Sequence, residues 1–324
     1  MEYQFEEIVE CKQIGNFGDD SEDGLEYVYD IEVEDNSHTF IANDILVHNS
    51  CYTCFDEVLE TFDLENSPYK GREVNFFLDL YEHRLKDYLK KQLDEFARNR
   101  NVENIQVFEL ENICSRFLIT SKKKYLKDVA WEEPNIFHKF GEAIKYTGLE
   151  IIQSSTPSIL RKELKKITDK ILTDETVYIK DVATKLAELK KMYISEPDLD
   201  RVCRNVRVNN YEKYCLADVD DFKFGEKCPF NVRAAIYYNY MLNNSDVKDK
   251  YEGIMSGDKV KVYYSKDIRN ENFAYKAGRY PREIAPEIDY DTMFFKSTIE
   301  PVNNLLEAIG VQTLDEKLSY RNIV

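Results

Sequence analysis

A sharp break in charge near residue 49 constrains this sequence more than any other feature. The first 49 residues contain 14 acidic side chains and one basic side chain, Lys12, which gives them a net charge of −13. The remaining 275 residues contain 47 acidic and 43 basic side chains and are almost balanced. A discontinuity of this size is typical of two modules with different partners. We therefore expect a first domain that ends near residue 49.

Composition excludes several broad classes of protein. Apolar residues make up 43% of the chain, which is enough to fill hydrophobic cores and excludes disorder over the whole length. No apolar run approaches the roughly 20 residues that a membrane helix needs. The acidic start of the chain does not fit a secretory signal, and seven cysteines without dense spacing do not indicate a disulfide scaffold. We expect a cytoplasmic protein without a membrane partner.

Residues 25–47 have the pattern of short β-strands. Apolar and aromatic side chains recur at every second position, as a strand with two unlike faces requires. These positions are Leu25, Tyr27, Tyr29, Ile31 and Val33. Two further apolar runs, 39–42 and 45–47, flank Asn43-Asp44, which is typical of a turn between strands. The pattern predicts a small all-β module over residues 1–49 and disfavours an acidic solubilising tail.

The string Val47-His48-Asn49-Ser50 combines three groups that can cut and rejoin a peptide bond. The amide of an Asn side chain can attack its own backbone carbonyl, close a succinimide ring and release the following amine. A neighbouring His can protonate that leaving amine. A hydroxyl on the next residue can accept an acyl group. The string is common by itself, so it indicates this chemistry only if the neighbouring residues also fit it.

Residues 28–50, VYDIEVEDNSHTFIANDILVHNS, resemble the C-terminal blocks of an intein. The resemblance implies that Asn49 cyclises with the help of His48. It also implies that His38 assists the last steps of protein splicing, and that the hydroxyl of Ser50 takes the acyl group of the segment upstream of the intein. A histidine on a surface loop is the alternative interpretation of His38.

Asp30 matches the Asp of the same block, although a solvated charge on a strand is an equal alternative. Other parts of an intein do not occur in residues 1–49. The first nucleophile and the Thr-x-x-His block are absent, so the resemblance implies the C-terminal fragment of a split intein of the Hint type. It needs no cofactor, and its N-terminal fragment is expected on another chain. The charge of −13 would steer it toward a basic complement.

Residues 50–324 show a mixed pattern of helix and strand. Apolar residues at helical spacing predict a helix over 76–98, and residues 105–111 and 117–125 have the pattern of strands. Cys51 and Cys54 have the spacing of a metal pair, but no second pair accompanies them, so a buried strand is the better interpretation. The β–α–β–β order suits an α+β sheet.

Three segments then resemble, in chain order, family B DNA polymerases, with T-even-type bacteriophage enzymes the most similar. They are SKKKYLKDVAW, GLEIIQSSTPSILRKELKKI and KCPFNVRAAIYYNYMLNN. The resemblance implies an α+β fold in which the intein fragment is followed by the C-terminal part of the palm sheet, 50–153, and a largely helical thumb, 154–324. It implies primer–template DNA and deoxynucleoside triphosphates as substrates.

Ser50 matches the last residue of the family's YGDTDS string, whose two Asp residues hold two Mg²⁺ ions. The resemblance therefore implies that both Asp residues lie on the N-terminal partner fragment, and that this chain holds no certain metal ligand. Splicing would join them to Ser50 and complete the site. Polymerase activity is expected to await that ligation.

The resemblance also assigns roles within this half of the enzyme. Glu111 matches a palm carboxylate close to the metal ions, with a solvated charge at a strand end as the alternative. Lys122, Lys123, Lys124 and Tyr125 match the motif that holds the primer–template duplex. Lys124 stands where the family usually has Arg, and a solvated basic turn is the alternative for this group.

A helix is predicted after Ser154-Ser155-Thr156-Pro157, a helix-start signal. Leu160, Leu164, Ile167 and Ile171 form its apolar stripe. Basic residues crowd its polar side, where a thumb domain would follow duplex phosphates and a solvated face is the plainer alternative. They are Arg161, Lys162, Lys165, Lys166 and Lys170.

Two partner assignments stay open at this point. The T-even polymerases share a short aromatic tail that docks on a sliding clamp, whereas this sequence offers only Leu318 and Tyr320 as anchors. A rival hypothesis makes 50–324 a DNA-binding accessory subunit without enzymatic activity, in which residues 1–49 dock noncovalently. A self-processing module fused to an unrelated enzyme is a third hypothesis.

Overall fold

The computed structural model divides the chain into two compact units, Met1–Glu111 and Asn112–Val324. In the first unit it describes the backbone of four short strands together with residues 61–105 and 107–111. In the second it describes residues 112–216 and 222–317. The domain boundaries predicted after residues 49 and 153 remain predictions.

The described backbone between residues 11 and 48 forms two antiparallel strand pairs. In the first pair Cys11 lies opposite Ile31, and in the second Thr39 lies opposite His48. The strands are β1 (Cys11–Phe17), β2 (Glu26–Ile31), β3 (Thr39–Ala42) and β4 (Ile45–His48). Strands β3 and β4 confirm the predicted strands over 39–42 and 45–47, and β2 confirms the part of the pattern over 25–33 that the structure describes, whereas β1 is not predicted by the sequence pattern. The intein assignment of these strands stays a prediction.

A helix in three segments follows in the first unit and confirms the helix predicted over 76–98. Its segments, after a 3-10 turn at Leu64–Asn66, are α1 (Glu73–Leu80), a π-helical turn (Tyr81–Leu85) and α2 (Lys86–Asn99). The ring of Phe76 is buried and lies 5.3 Å from the ring of Phe62.

The strand predicted over 105–111 is wrong where the structure describes it. Residues 107–111 have no regular secondary structure, and the side chain of Val107 is 78% exposed. An alternating pattern forms a strand only where a partner strand pairs with it and one face is covered. Phe108 and Leu110 are half-buried, but residues 107–111 pair with no described strand.

The second unit contains two antiparallel sheets. The first has the order β5-β6-β7, with β8 also paired to β6, and the second has the order β11-β10-β9. The strands are β5 (Asn112–Ser121), β6 (Lys124–Glu132), β7 (Ile136–Phe137), β8 (Ile144–Thr147), β9 (Arg204–Arg207), β10 (Lys259–Tyr264) and β11 (Asn272–Lys276).

Helices cover these sheets, so the mixture fits the predicted α+β class. The helices are α3 (Ser158–Thr173), α4 (Ile179–Ser195), α5 (Leu199–Val202), α6 (Tyr211–Tyr214), α7 (Phe230–Asn243), α8 (Tyr290–Phe294) and α9 (Glu300–Ala308), with a 3-10 turn at Glu150–Ile152 and a π-helical turn at Phe295–Ile299. Among the described residues, no helix is both long and apolar enough to cross a membrane.

One hydrophobic core runs through the second unit. The predicted apolar stripe of α3 is confirmed, because Leu160, Leu164, Ile167 and Ile171 are all buried. α3 contacts β5 and β6 on one side and α4 and α9 on others, while α7 packs on β11. Buried tyrosines fill the region around the second sheet, and their hydroxyls donate either to backbone oxygens, as that of Tyr263 does to Pro286 at 2.9 Å, or to carboxylates, as that of Tyr275 does to Asp200 at 2.9 Å.

Candidate nucleic-acid interface

Three consecutive lysines lie where β5 turns into β6. Ser121 at the end of β5 pairs with Lys124 at the start of β6, and Lys122 and Lys123 form the turn between them. Both turn lysines are exposed, and Lys123 has a φ of 61°, which few residues other than glycine adopt. We call residues 121–125 the lysine hairpin. It concentrates positive charge at one end of the first sheet.

Contacts from β5 and from the chain after β8 hold this hairpin. The Nζ of Lys124 lies 2.9 Å from Oε1 of Glu150, and the ring of Tyr125 lies 5.2 Å from that of Phe117. Tyr125 also pairs with Thr147 of β8, which brings Gly148 against the turn. The lysine hairpin is therefore part of a folded surface and not a free loop.

The polar side of α3 presents four exposed lysines, Lys162, Lys165, Lys166 and Lys170. Two have carboxylate partners on the same helix: Lys166 lies 2.7 Å from Glu163, and Lys165 lies 3.9 Å from Asp169. Arg161 differs from the four lysines because it is half-buried and its buried Nε has no hydrogen-bond partner among the described residues. The basic face of α3 is thus carried by lysines.

Side-chain contacts join α3 to the sheet that carries the lysine hairpin. The hydroxyl of Tyr146 on β8 donates to the carboxylate of Asp169, and the Nζ of Lys165 lies 5.7 Å above the Tyr146 ring. Burial and the bond to Asp169 raise the pKa of Tyr146, so this hydroxyl stays protonated and keeps donating at neutral pH. On β5, Nη1 of Arg116 donates to the backbone oxygen of Leu172 at 2.9 Å. Both basic elements therefore belong to one packed body.

A second charged cluster on the same sheet is neutralised internally. Glu132 on β6 accepts hydrogen bonds from Lys145 and, at 2.9 Å, from His138. The bond from Lys145, followed by that from His138, lowers the pKa of Glu132. The carboxylate therefore stays ionised and paired, and we assign it no role in binding.

The described residues do not fit a magnesium centre by themselves. They contain no group of three His, Cys, Asp or Glu side chains placed to hold a metal ion. Glu111, the predicted palm carboxylate, is exposed and directly precedes β5. Its assignment to the metal site stays a prediction, and we derive no step through a metal ion on this chain.

The predicted splicing residues lie at the edge of the described backbone or outside it. His48 is the last residue of β4, and Asp30 lies on β2, opposite Lys12. His38, Asn49, Ser50 and the cysteines Cys51 and Cys54 lie outside the described residues, as do Leu318 and Tyr320. Their predicted roles stay predictions.

Comparison with known proteins gives the class of the second part of the chain. The chain is 26% identical over 296 residues, 84% of its length, to the DNA-directed DNA polymerase of Enterobacteria phage T4. It is 24% identical over 285 residues, 80% of its length, to that of Escherichia phage RB69. A DNA polymerase of Thermococcus aggregans is 28% identical over 181 residues, 52% of this chain. No protein-family model matches the chain.

The chain is homologous to family B DNA polymerases over its C-terminal part. This confirms the predicted relationship to these enzymes and to their phage members. The chain spans only 30% of the T4 enzyme, 29% of the RB69 enzyme and 8% of the Thermococcus aggregans enzyme. The intein relationship of residues 1–49 is not part of this finding.

Gly148 and Glu150 contact the lysine hairpin, although no sequence pattern predicts a role for either residue. They stand some 25 residues after the lysines, and only the pairing of β6 with β8 brings them together. The sequence feature that indicates such a contact is Gly148 itself, because a lone glycine between a strand and the start of a helix is typical of a positive φ or a close approach of two backbones.

Proposed function

We propose that residues 50–324 are the C-terminal palm and thumb part of a family B DNA polymerase. The observation that carries this proposal is the 26% sequence identity to the T4 polymerase, in an alignment that covers 84% of the chain. The exposed lysine hairpin supports a role in holding primer–template DNA. Lysines bind backbone phosphates in any sequence, as a polymerase requires of its product duplex.

We propose further that residues 1–49 are the C-terminal fragment of a split intein. Splicing joins Ser50 to an N-terminal fragment that carries the two metal-binding Asp residues. The support is the block at 28–50, with His48, Asn49 and Ser50 at its end. The two Mg²⁺ ions are held mainly by that fragment, so template-directed synthesis from deoxynucleoside triphosphates in DNA replication begins only after joining. A phage relative implies the host cytoplasm as the place of action.

The splicing chemistry balances within the two fragments. The first nucleophile of the N-terminal fragment takes the upstream acyl group as a thioester or ester. The hydroxyl of Ser50 attacks this carbonyl and releases the nucleophile. The side-chain nitrogen of Asn49 then attacks its own carbonyl carbon and breaks the bond to the nitrogen of Ser50, which His48 helps to protonate. An O-to-N shift leaves a peptide bond.

Mass spectrometry after co-expression with the N-terminal fragment tests this proposal. We expect one ligated polypeptide that carries 275 residues of this chain. Asn49→Ala is expected to stop the reaction at a branched ester, because no succinimide can form. Complete ligation by Asn49→Ala would show that the mechanism is wrong.

Primer extension separates the enzyme from its rival, an accessory subunit that docks noncovalently through residues 1–49. We expect no extension by the purified chain alone and extension after ligation. The rival hypothesis instead predicts duplex binding and a stable complex with no change in mass. A complex that extends primers while both chains keep their original masses would overturn the requirement for splicing.

A further inference from the structure

The backbone of Gly148 approaches the turn of the lysine hairpin closely. A Cβ atom at position 148 would lie 2.1 Å from the backbone oxygen of Lys123 and 3.3 Å from Cγ of Lys124. The first distance is far inside van der Waals contact, and its partner is a backbone atom. Relief would therefore require the main chain of the hairpin or of β8 to move.

Other glycines of the second unit lack this close contact. Gly257 and Gly310 also have positive φ angles, of 93° and 71°, but a Cβ atom on either would meet nothing within 4 Å. Gly148 has a φ of 63° and the close contact as well. Two physical reasons thus require glycine at 148, and one of them concerns only the lysine hairpin.

The segment that begins at Gly148 makes a further contact with the hairpin and is itself held in place. Glu150 pairs with Lys124, and the hydroxyl of the buried residue Thr156 donates to the backbone oxygen of Glu150 at 2.6 Å. Thr156 lies two residues before α3. The position of the hairpin turn is therefore tied, through residues 148–156, to the start of the basic helix.

We propose that Gly148 is a positioning residue for DNA binding, because its backbone sets the conformation of Lys123 and with it the direction of the hairpin lysines. This inference rests on the proposed role of the lysine hairpin in holding the duplex. A side chain at 148 would displace the turn, and ammonium groups that matched successive phosphates would lose that match. The remaining structure of the second unit would be kept.

The test uses the full chain and a fluorescent primer–template duplex, with the dissociation constant measured by anisotropy over a series of salt concentrations. We expect Gly148→Ala to weaken binding about fivefold and to make the salt dependence shallower, as the loss of one or two phosphate contacts requires. Gly310→Ala is the matched control, since it introduces the same methyl group at a similar φ without the close contact. It should leave the dissociation constant unchanged.

A double-mutant cycle distinguishes positioning from general damage to the fold. In a chain that already carries Lys122→Ala, Lys123→Ala and Lys124→Ala, adding Gly148→Ala should weaken binding no further, because the residue acts through those lysines. An equal loss in both backgrounds would overturn the proposal. So would unchanged binding by Gly148→Ala in the otherwise native chain.

The same binding measurements distinguish failure of this positioning inference from failure of the proposed DNA contact at the lysine hairpin. If the chain with Lys122→Ala, Lys123→Ala and Lys124→Ala binds the duplex as tightly as the native chain, the lysine hairpin is not a DNA contact, and the positioning inference fails together with the proposed role of the hairpin. If the lysine changes weaken binding but Gly148→Ala does not, only the positioning inference fails. Circular dichroism of each variant, compared with Gly310→Ala, shows whether an observed loss reflects unfolding.

Discussion

Lys124 of the lysine hairpin pairs with the carboxylate of Glu150, and this pair determines how much positive charge the lysine would offer to DNA. Its Nζ lies 2.9 Å from Glu150, and the two side chains are 41% and 46% exposed. An ion pair so exposed contributes little to folding, at most about 1 kcal/mol. A phosphate, however, must displace or share the carboxylate before it can bind this lysine.

We therefore predict that Glu150→Gln tightens duplex binding by about two- to threefold at low salt and makes its salt dependence steeper by roughly one released counterion. The glutamine keeps the shape of the side chain and removes its charge. Anisotropy titrations at several salt concentrations provide the measurement.

Glu188→Gln on α4 is the control for that prediction, because Glu188 also pairs with a lysine, Lys185, at 2.9 Å on the surface. It removes the same charge from a pair outside the lysine hairpin. If both variants tighten binding equally, the effect comes from net charge alone, and the pair at Lys124 has no particular role.

At the scale of elements, the sequence predicted helices better than it predicted strands. The stripe of α3 repeats four times over Leu160 to Ile171, so a single buried face explains the whole segment. The strand pattern at 105–111 is shorter, and a strand also needs a partner, which its own residues cannot specify. Val107 satisfies the alternation and is nevertheless 78% exposed.

The candidate site was predictable where it is contiguous in sequence. Lys122, Lys123 and Lys124 are adjacent, so the sequence itself shows their combined charge, but its pattern predicts a single strand over 117–125. The structure places a turn at Lys122 and Lys123, where the one common turn residue is Ser121, which precedes the two lysines. The left-handed φ of Lys123 and the approach of Gly148 depend on the register between β6 and β8, which the sequence does not give.

Arg116 joins β5 to the end of α3 and gives a prediction at this scale. Its Nη1 donates to the backbone oxygens of Leu172 and Asp174, at 2.9 and 2.8 Å. The last carbonyls of a helix lack partners within the helix, and a cation there also complements the helix dipole. We predict that Arg116→Ala lowers the free energy of unfolding by about 1.5–3 kcal/mol.

Urea unfolding followed by circular dichroism measures this change. Arg279→Ala is the control, because Arg279 is 59% exposed and pairs with Glu252 at 3.5 Å. Its loss is expected to cost no more than about 0.5 kcal/mol. If the two variants unfold at the same urea concentration, Arg116 does not stabilise the end of α3.

At the scale of the whole molecule, the acidic charge is concentrated in the first 49 residues. Residues 1–49 carry −13 of a net −17, while the part homologous to DNA polymerases is almost balanced and concentrates lysines on the hairpin and α3. An evenly acidic chain would repel DNA along its whole surface. Under the proposed function, confining the acidic residues to one module would let that module attract a basic fragment without repelling the DNA that the remainder is proposed to bind.

This distribution predicts that association with the N-terminal fragment depends on salt. Opposite charges accelerate encounter, and added salt screens them, so the association rate constant should fall by about tenfold or more between low and high salt. Stopped-flow fluorescence with a chain that carries both Asn49→Ala and Ser50→Ala measures association without covalent joining, because neither the branched ester nor the succinimide can form. Neutralising Asp19, Asp20, Glu22 and Asp23 to the matching amides should slow association at low salt and flatten its salt dependence. A rate constant that stays the same across the salt series would show that the acidic module is not used for steering, because electrostatic attraction between separated surfaces cannot survive screening.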